Sequence, residues 1–196
     1  MIKSTKLLSI VKDILNKDNI QENNFLEIED LTLNKKLLNG KENDINLKEL
    51  KYFPKLKTLT IINFDINQEI LNIINEKKLL WAIQFSKCNF EKIEPISKNV
   101  KYLIIDECEN LDLKLINDNE TIKIIGENLD LKLLNAYKTK QLYLQDCNIK
   151  NSEKILEYTN LENINLDGSK FNKDILEKIR KDIQISCKNK YYRLED

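Results

Sequence analysis

Apolar residues recur along this chain in one spacing, which places them at the first, fourth, sixth and eleventh positions of a repeated unit, with Phe64, Cys88 or Ser169 at the ninth. The spacing is clearest over Leu56–Ile66, Leu80–Phe90 and Leu161–Phe171. A period of about 20 residues indicates units that cannot bury their apolar face alone, so that neighbouring units must stack into a solenoid with one continuous core. The fourth position falls at Leu31, Leu59, Ile83, Leu103, Ile122, Leu142 and Ile164.

Within each unit the fourth and sixth positions are apolar and their neighbours are mostly polar, which is the period-two pattern of a short, half-buried strand. Stacked in register, these strands predict a parallel sheet. The third, fifth and seventh positions then lie on the face of the sheet that is turned away from the core. Ile183 and Ile185 indicate one further, degenerate turn.

The pattern resembles the leucine-rich-repeat family, whose motif is L-x-x-L-x-L-x-x-N/C-x-L. The resemblance covers roughly Ile28 to Phe171, and Cys88, Cys108 and Cys147 all fall on the ninth position, where the family uses Asn or Cys. It implies an α/β solenoid with a parallel sheet on the concave face, short helices or irregular segments on the convex face, and a protein-binding function. The unit around Ile122 departs from the motif, because Asn119 holds its first position and Glu127 its ninth.

The predicted organisation is a single leucine-rich-repeat domain over residues 1–196. Residues 1–24 form an N-terminal helical cap, residues 25–171 form about seven repeats, and residues 172–196 form a C-terminal cap and tail. Apolar spacing predicts an amphipathic helix over residues 2–17 and a short helix over Gln68–Glu76. Two more helices are predicted, over Ser152–Tyr158 after an Asn151 cap and over Lys173–Lys181 after an Asn172 cap.

The charge balance and the apolar content of the chain argue against some classes of function. Lys plus Arg and Asp plus Glu number 32 each, so no global field favours nucleic acid or an anionic membrane. The preference for Lys over Arg, with abundant Asn and Ile, indicates an AT-rich genome such as that of a bacterium. No secretory signal and no stretch of roughly 20 apolar residues is seen. These features predict a cytoplasmic protein that is a monomer or a weak dimer.

The residues available for catalysis predict no enzyme and no cofactor. The chain contains no histidine, so no Ser-His or Cys-His pair can form, and Gly40, Gly126 and Gly168 are isolated rather than part of a phosphate loop. The cysteines of the motif are interpreted as buried, reduced thiols. Cys88 and Cys108 nevertheless occupy the same position in neighbouring stacked units, which brings them near disulfide distance. Cys187 fits no motif and is the one candidate for a reactive thiol.

Three alternatives stay open. Acidic residues near the strand ends, namely Asp106, Glu107, Asp146 and Asp167, are candidates for a hydrolase or a metal-dependent protein with its site around Asp106. The segment Lys188–Arg193 mixes basic and aromatic residues, as single-strand nucleic-acid binders do. The N-terminal helix carries lysines and is a candidate for resting on a membrane surface.

The outward-facing positions of the strands carry the main functional hypothesis. Tyrosine, tryptophan and isoleucine lie there among uncharged polar groups, and such aromatic residues dominate protein interfaces. The sequence therefore predicts that another protein binds this face. The predicted partner-binding residues are Trp81, Gln84, Tyr102, Ile104, Lys123, Gln141 and Tyr143.

Overall fold

A computed structural model describes residues 2–37, 45–91, 95–116 and 119–187 of the 196-residue chain. Its main feature is an eight-stranded sheet in which every neighbouring pair is parallel. In spatial order the strands are β1 (Asp30–Asn34), β2 (Thr58–Ile62), β4 (Ala82–Ser86), β6 (Tyr102–Asp106), β7 (Thr121–Ile125), β9 (Gln141–Gln145), β11 (Asn163–Asn165) and β12 (Gln184–Ser186). Because spatial order follows chain order, each unit stacks on the one before it.

The register of this sheet follows the repeat motif. Fourth-position residues are direct partners from Leu31 and Leu59 through to Ile164. Leu103 pairs with Ile122, so the irregular unit keeps its register. The predicted strands are thus confirmed, and the degenerate turn supplies β12, where Ile185 pairs with Ile164.

Burial alternates along the strands as the pattern predicts. In β2 and β9 the fourth and sixth positions are buried and the third, fifth and seventh are half-buried. The buried side chains form one hydrophobic cluster that extends from Ile2 to Ile183. The chain is therefore an α/β repeat solenoid with a continuous core.

A left-handed residue at the eighth position turns the chain after most strands. Positive φ angles occur at Asn63, Lys87, Glu107, Gly126, Asp146 and Gly168. Beyond these turns lie four short strands, β3 (Asp65–Ile66), β5 (Asn89–Phe90), β8 (Asn128–Asp130) and β10 (Asn148–Lys150), which form two parallel pairs, β3 with β5 and β8 with β10. The unit around Leu103 has one residue more than the motif before Leu111, and Asn110 in this stretch also has a positive φ.

The ninth-position side chains link successive units through hydrogen bonds to backbone. The thiols of Cys88 and Cys147 donate to the carbonyl oxygens of Ile61 and Ile124, at 3.3 and 3.5 Å. Ser169 makes the same kind of bond, from its hydroxyl to the Leu144 carbonyl at 2.6 Å. In these three units the ninth position therefore satisfies the carbonyl of the sixth-position residue in the preceding unit, whereas the Cys108 thiol donates to Asp106 in its own unit.

All four cysteines are free thiols, and those of the motif are buried, as predicted. Burial raises the pKa of the Cys147 thiol to about 11. The neighbouring Cys88 thiol, followed by burial, raises the pKa of Cys108. The thiols of Cys108 and Cys147 are therefore protonated at neutral pH. Cys187 is half-buried against the core.

Three α-helices occur in the described residues: α1 (Thr5–Leu15), α2 (Gln68–Asn75) and α3 (Lys173–Leu176). The 3₁₀ segments are Glu22–Glu27, Lys35–Leu37, Leu47–Tyr52, Leu113–Leu115, Leu131–Leu133 and Ser152–Glu157. The helix predicted over Gln68–Glu76 is confirmed as α2, which begins after an Asn67 side-chain cap. Among the residues that the structure describes, no helix is long and apolar enough to cross a membrane.

Two helix predictions need correction. The segment after Asn151 is a 3₁₀ segment, and the Asn151 side chain does not cap it. Asn151 is instead left-handed, with φ 52°, and its amide donates to Asp130 in the preceding unit at 2.7 Å. The helix after Asn172 keeps its predicted cap but spans only α3, much less than predicted.

The N-terminal helix α1 packs on the core and is held by a buried acid. Leu7 and Val11 are buried, and the Ser4 hydroxyl accepts from the Leu7 amide at the helix start. The carboxylate of Glu49 accepts from the backbone amides of Lys3 at 2.6 Å and Ser4 at 3.3 Å. That α1 caps the solenoid by covering the edge at β1 stays a prediction.

Candidate binding face

The name sheet face is used here for the outward-facing third, fifth and seventh positions of the eight-stranded sheet, together with Trp81, a second-position residue at its margin. Sheet register places Gln84, Ile104, Lys123 and Tyr143 as direct neighbours along one row of fifth positions. All four side chains are half-buried. The structure therefore brings four of the seven predicted binding residues into one line across four strands.

Trp81 and Tyr102 form an exposed aromatic pair beside this row. Their ring centroids lie 5.1 Å apart and their planes cross at 84°, an edge-to-face contact. Trp81 is 42% exposed and Tyr102 is 39% exposed. Trp81 belongs to the backbone ladder just before β4, where its amide donates to Lys57 and its carbonyl accepts from Lys101.

Gln141 is the seventh predicted residue, and it lies two positions before Tyr143 on β9. Its side-chain oxygen accepts from the Tyr143 hydroxyl at 3.2 Å and from the Thr121 hydroxyl at 3.4 Å. These bonds fix the hydroxyl end of Tyr143. The outward positions are not uniformly open, because Thr121 and Ser86 are buried.

The acidic residues named as an alternative site lie along the ends of the strands and bind neighbouring polar groups. Asp106 accepts from the Ser86 hydroxyl at 2.7 Å, and Asp167 accepts from the Asn165 amide at 3.1 Å. Within the described ranges, no group of three or more His, Cys, Asp and Glu residues is placed to hold a metal ion. The basic-aromatic segment Lys188–Arg193 lies outside the described residues.

Glu127 lies beside these acids and was recognised in the sequence only as a departure from the motif. Its carboxylate accepts from the Cys108 amide at 2.7 Å. Burial raises the pKa of Glu127, and the nearby charges of Asp106 and Glu107 raise it further, although the bond from Cys108 opposes this. Glu127 therefore takes the ninth-position role as an acceptor rather than a donor.

The sequence interpretation missed two features near the candidate residues. Leu79 is 51% exposed and lies two residues before Trp81. At the other end of the sheet, a shallow cavity of about 470 Å³ lies between Tyr143 and β12, with Asn163, Asn165, Gln184 and Ser186 in its lining. Leu79 lies in a turn before the motif, so the alternation of the strand does not predict its exposure. The cavity depends on the degenerate last unit, whose outward-facing residues the motif does not assign.

The repeat solenoid defined by this geometry is shared with solved structures of internalins, which are leucine-rich-repeat proteins. The chain is similar to an internalin (inlF) from Listeria monocytogenes, with a TM-score of 0.63 and 14% identity over 94% of this chain and 56% of that one. It is also similar to an internalin C2 (inlC2) from the same species, with a TM-score of 0.57 and 14% identity over 94% of this chain and 93% of that one.

These likenesses establish the leucine-rich-repeat fold that the sequence predicted. The chain spans little more than half the length of the inlF internalin. Comparison with protein-family models and with curated protein sequences gives no match.

Proposed function

We propose that this protein is a non-catalytic binding module that holds another protein on its sheet face, as an adaptor or an inhibitor. The observation that carries the proposal is the exposed edge-to-face pair of Trp81 and Tyr102. Tryptophan and tyrosine are the residue types most enriched among interface hot spots, since they offer a large, rigid contact area with few rotamers to lose.

The row of fifth positions extends this pair into a surface. Ile104 lies one residue after Leu103 on the strand that carries Tyr102, and Lys123 and Tyr143 continue the row on the next two strands. Gln84 and Gln141 flank the row with amide groups. A partner lying across the strands would contact aromatic, aliphatic and amide groups in turn, which is the mixture of anchors and polar contacts found in protein interfaces.

The proposal takes the chain to be free of cofactor and enzymatic activity. It also takes the chain to be cytoplasmic and monomeric or weakly dimeric, as the sequence predicts. Its support is the fold together with the exposed aromatic pair.

The test is a capture experiment from an extract of the source organism with three forms of the protein. The first form is wild type, and the second is the Trp81→Ala/Tyr102→Ala double variant. The third is a control, Leu133→Ala/Leu156→Ala, which removes two side chains of similar exposure from the 3₁₀ segments. Circular dichroism melts establish that all three are folded.

We expect one protein to be captured by wild type and by the control and lost from the double variant. Truncating a hot-spot residue costs about 2 kcal/mol or more, which corresponds to a loss of affinity of about thirtyfold. Equal capture by all three forms, or loss only from the control, would place the binding surface elsewhere and refute the proposal.

A further inference from the structure

Positive charge is concentrated where three neighbouring strands of the sheet begin. The residues leading into β2, β4 and β6 are 53–57, 77–81 and 97–101, and they contain lysines but no acidic residue. The name basic edge is used here for these lysines, which are Lys55, Lys57, Lys77, Lys78, Lys98 and Lys101.

Within the described ranges, one lysine of the basic edge forms an ion pair, and Lys77 is buried. Lys57 pairs with Glu29, at 2.6 Å. In the part of the chain that the structure describes, no ion pair is formed by Lys55, Lys78, Lys98 or Lys101, and all four are exposed. The sheet therefore presents four exposed cations to solvent at one end of adjacent strands.

Two lysines of the basic edge flank Trp81 in the backbone ladder. The backbone ladder stacks Lys57, Trp81 and Lys101 on successive rungs, because the Trp81 amide donates to Lys57 and the Lys101 amide donates to Trp81. On the turn before Trp81, a shallow cavity of about 330 Å³ is lined by Lys51, Pro54, Glu76, Lys77 and Lys78. The exposed apolar residues Leu79, Trp81 and Tyr102 thus lie between lysines.

At the opposite ends of the same strands, acidic residues outnumber lysines. Asp106 ends β6 and is followed by Glu107 and Glu109, whereas Lys87 follows β4 and pairs with Glu107 at 3.1 Å. Glu127 follows β7 on the neighbouring rung, and its carboxylate accepts from the Cys108 amide, next to Glu107, at 2.7 Å. A net charge of zero therefore conceals a separation of charge along the strand direction, which can orient a charged partner.

We infer that the partner of the sheet face presents a short acidic segment with an apolar anchor, whose carboxylates lie on the basic edge and whose apolar side chain packs on Leu79, Trp81 and Tyr102. This inference rests on the proposed function and adds the chemistry of the partner. Charge complementarity selects the acidic segment, and the exposed apolar residues between the lysines select the anchor.

The geometry favours a protein segment over a nucleic acid. The basic edge spans three rungs, about 10 Å at the strand spacing of a sheet. On the next rung, Glu120 holds the position of Lys101 and pairs with Lys140 at 3.4 Å. Trp81 and Tyr102 meet edge to face, so they do not form two parallel platforms for successive bases.

The test measures fluorescence anisotropy of three labelled peptides of equal length and a single-stranded oligo(dT). One peptide combines Glu with Phe, the second combines Lys with Phe, and the third combines Glu with Gly. The protein forms are wild type, the charge-reversal variant Lys78→Glu/Lys101→Glu, and a control, Lys150→Glu/Lys170→Glu. The control reverses two lysines in the segments that follow β9 and β11. The titrations are run between about 50 and about 200 mM salt.

We expect the Glu-Phe peptide to bind best, to weaken as salt rises, and to lose about tenfold or more in affinity with the charge-reversal variant. The control variant should bind this peptide nearly as well as wild type, because charges more than a Debye length away are largely screened. Equal or tighter binding of the Lys-Phe peptide, the Glu-Gly peptide or oligo(dT) would overturn the inference, and oligo(dT) binding would identify a nucleic-acid surface.

Failure of this inference can be told apart from failure of the proposed function. If no peptide binds but capture still depends on Trp81 and Tyr102, the sheet face binds a partner of other chemistry and only the inference falls. If capture is independent of these two residues, the proposed function fails, whatever the peptides do.

Discussion

Replacing Ser169 with alanine should destabilise the solenoid strongly for so small a change. The Ser169 hydroxyl donates to the Leu144 carbonyl at 2.6 Å and accepts from the Cys147 amide at 2.9 Å. Leu144 and Cys147 are 0% and 2% exposed, so water cannot readily replace the lost hydroxyl. Alanine would therefore leave one buried acceptor and one buried donor without a partner.

The size of the effect follows from these two groups. An unsatisfied buried polar group costs about 1 to 3 kcal/mol, so we expect Ser169→Ala to lower the free energy of unfolding by about 3 kcal/mol. Ser169→Cys is the matched control, because a thiol donates from this same position at Cys88 and Cys147. As a weaker donor of similar size, cysteine should cost about 1 kcal/mol.

Urea unfolding followed by circular dichroism measures both changes, with the slope m compared among the variants to check that the transition is unaltered. Hydrogen exchange should show the loss of protection concentrated at β9 and β11, since each unit of a solenoid contacts only its neighbours. A loss below about 1 kcal/mol for alanine, or an equal loss for cysteine, would refute the idea that the ninth position links the units by hydrogen bonding.

Three further predictions address other parts of the fold. Glu49→Ala should cost about 2 kcal/mol and speed hydrogen exchange in α1, because the bonds to the Lys3 and Ser4 amides are lost; unchanged exchange in α1 would contradict this. Glu127→Gln should stabilise the protein at neutral pH, because the raised pKa of Glu127 shows that the folded state favours the protonated side chain, which is lost as pH rises through that pKa. Urea unfolding should show that the gain in unfolding free energy shrinks toward acidic pH, and a gain that does not change with pH would refute this explanation. Gly168→Ala should lower the free energy of unfolding, measured with urea or heat, by about 1 to 2 kcal/mol, because φ is +72° and the added Cβ would lie 1.9 Å from Asp146 Oδ1. Gly126→Ala should cost less, because its Cβ would come no nearer than 3.2 Å to another residue, and the reverse order would contradict the steric argument.

The strands and their register were predictable from the sequence because both follow from burial. A residue such as Leu59 or Ile122 must lie in the core, and the period of two then fixes its neighbours on the outer face. The left-handed turns after the strands were not predictable. Lys87, Glu107 and Asp146 adopt them without any glycine signal, because the stacking of units fixes the backbone there.

The candidate site was predictable only in part. The motif placed Tyr102 on the sheet face and Trp81 at its margin, but their edge-to-face contact depends on rotamers across two units. The basic edge was not recognised, because its lysines occupy turns and second positions that the alternation of strands does not assign to the face. Asn151 was misread as a helix cap because its hydrogen bond is to Asp130, which is distant in sequence.

Trp81 is the single tryptophan of the chain, which makes one measurement especially direct. Labelling with 5-fluorotryptophan gives one fluorine NMR resonance from this protein, whatever tryptophans a partner contains. Adding the protein captured by wild type should shift this resonance and reduce its accessibility to a soluble paramagnetic quencher, because Trp81 passes from 42% exposed to buried. A resonance that keeps both its position and its accessibility in the saturated complex would contradict binding at the sheet face.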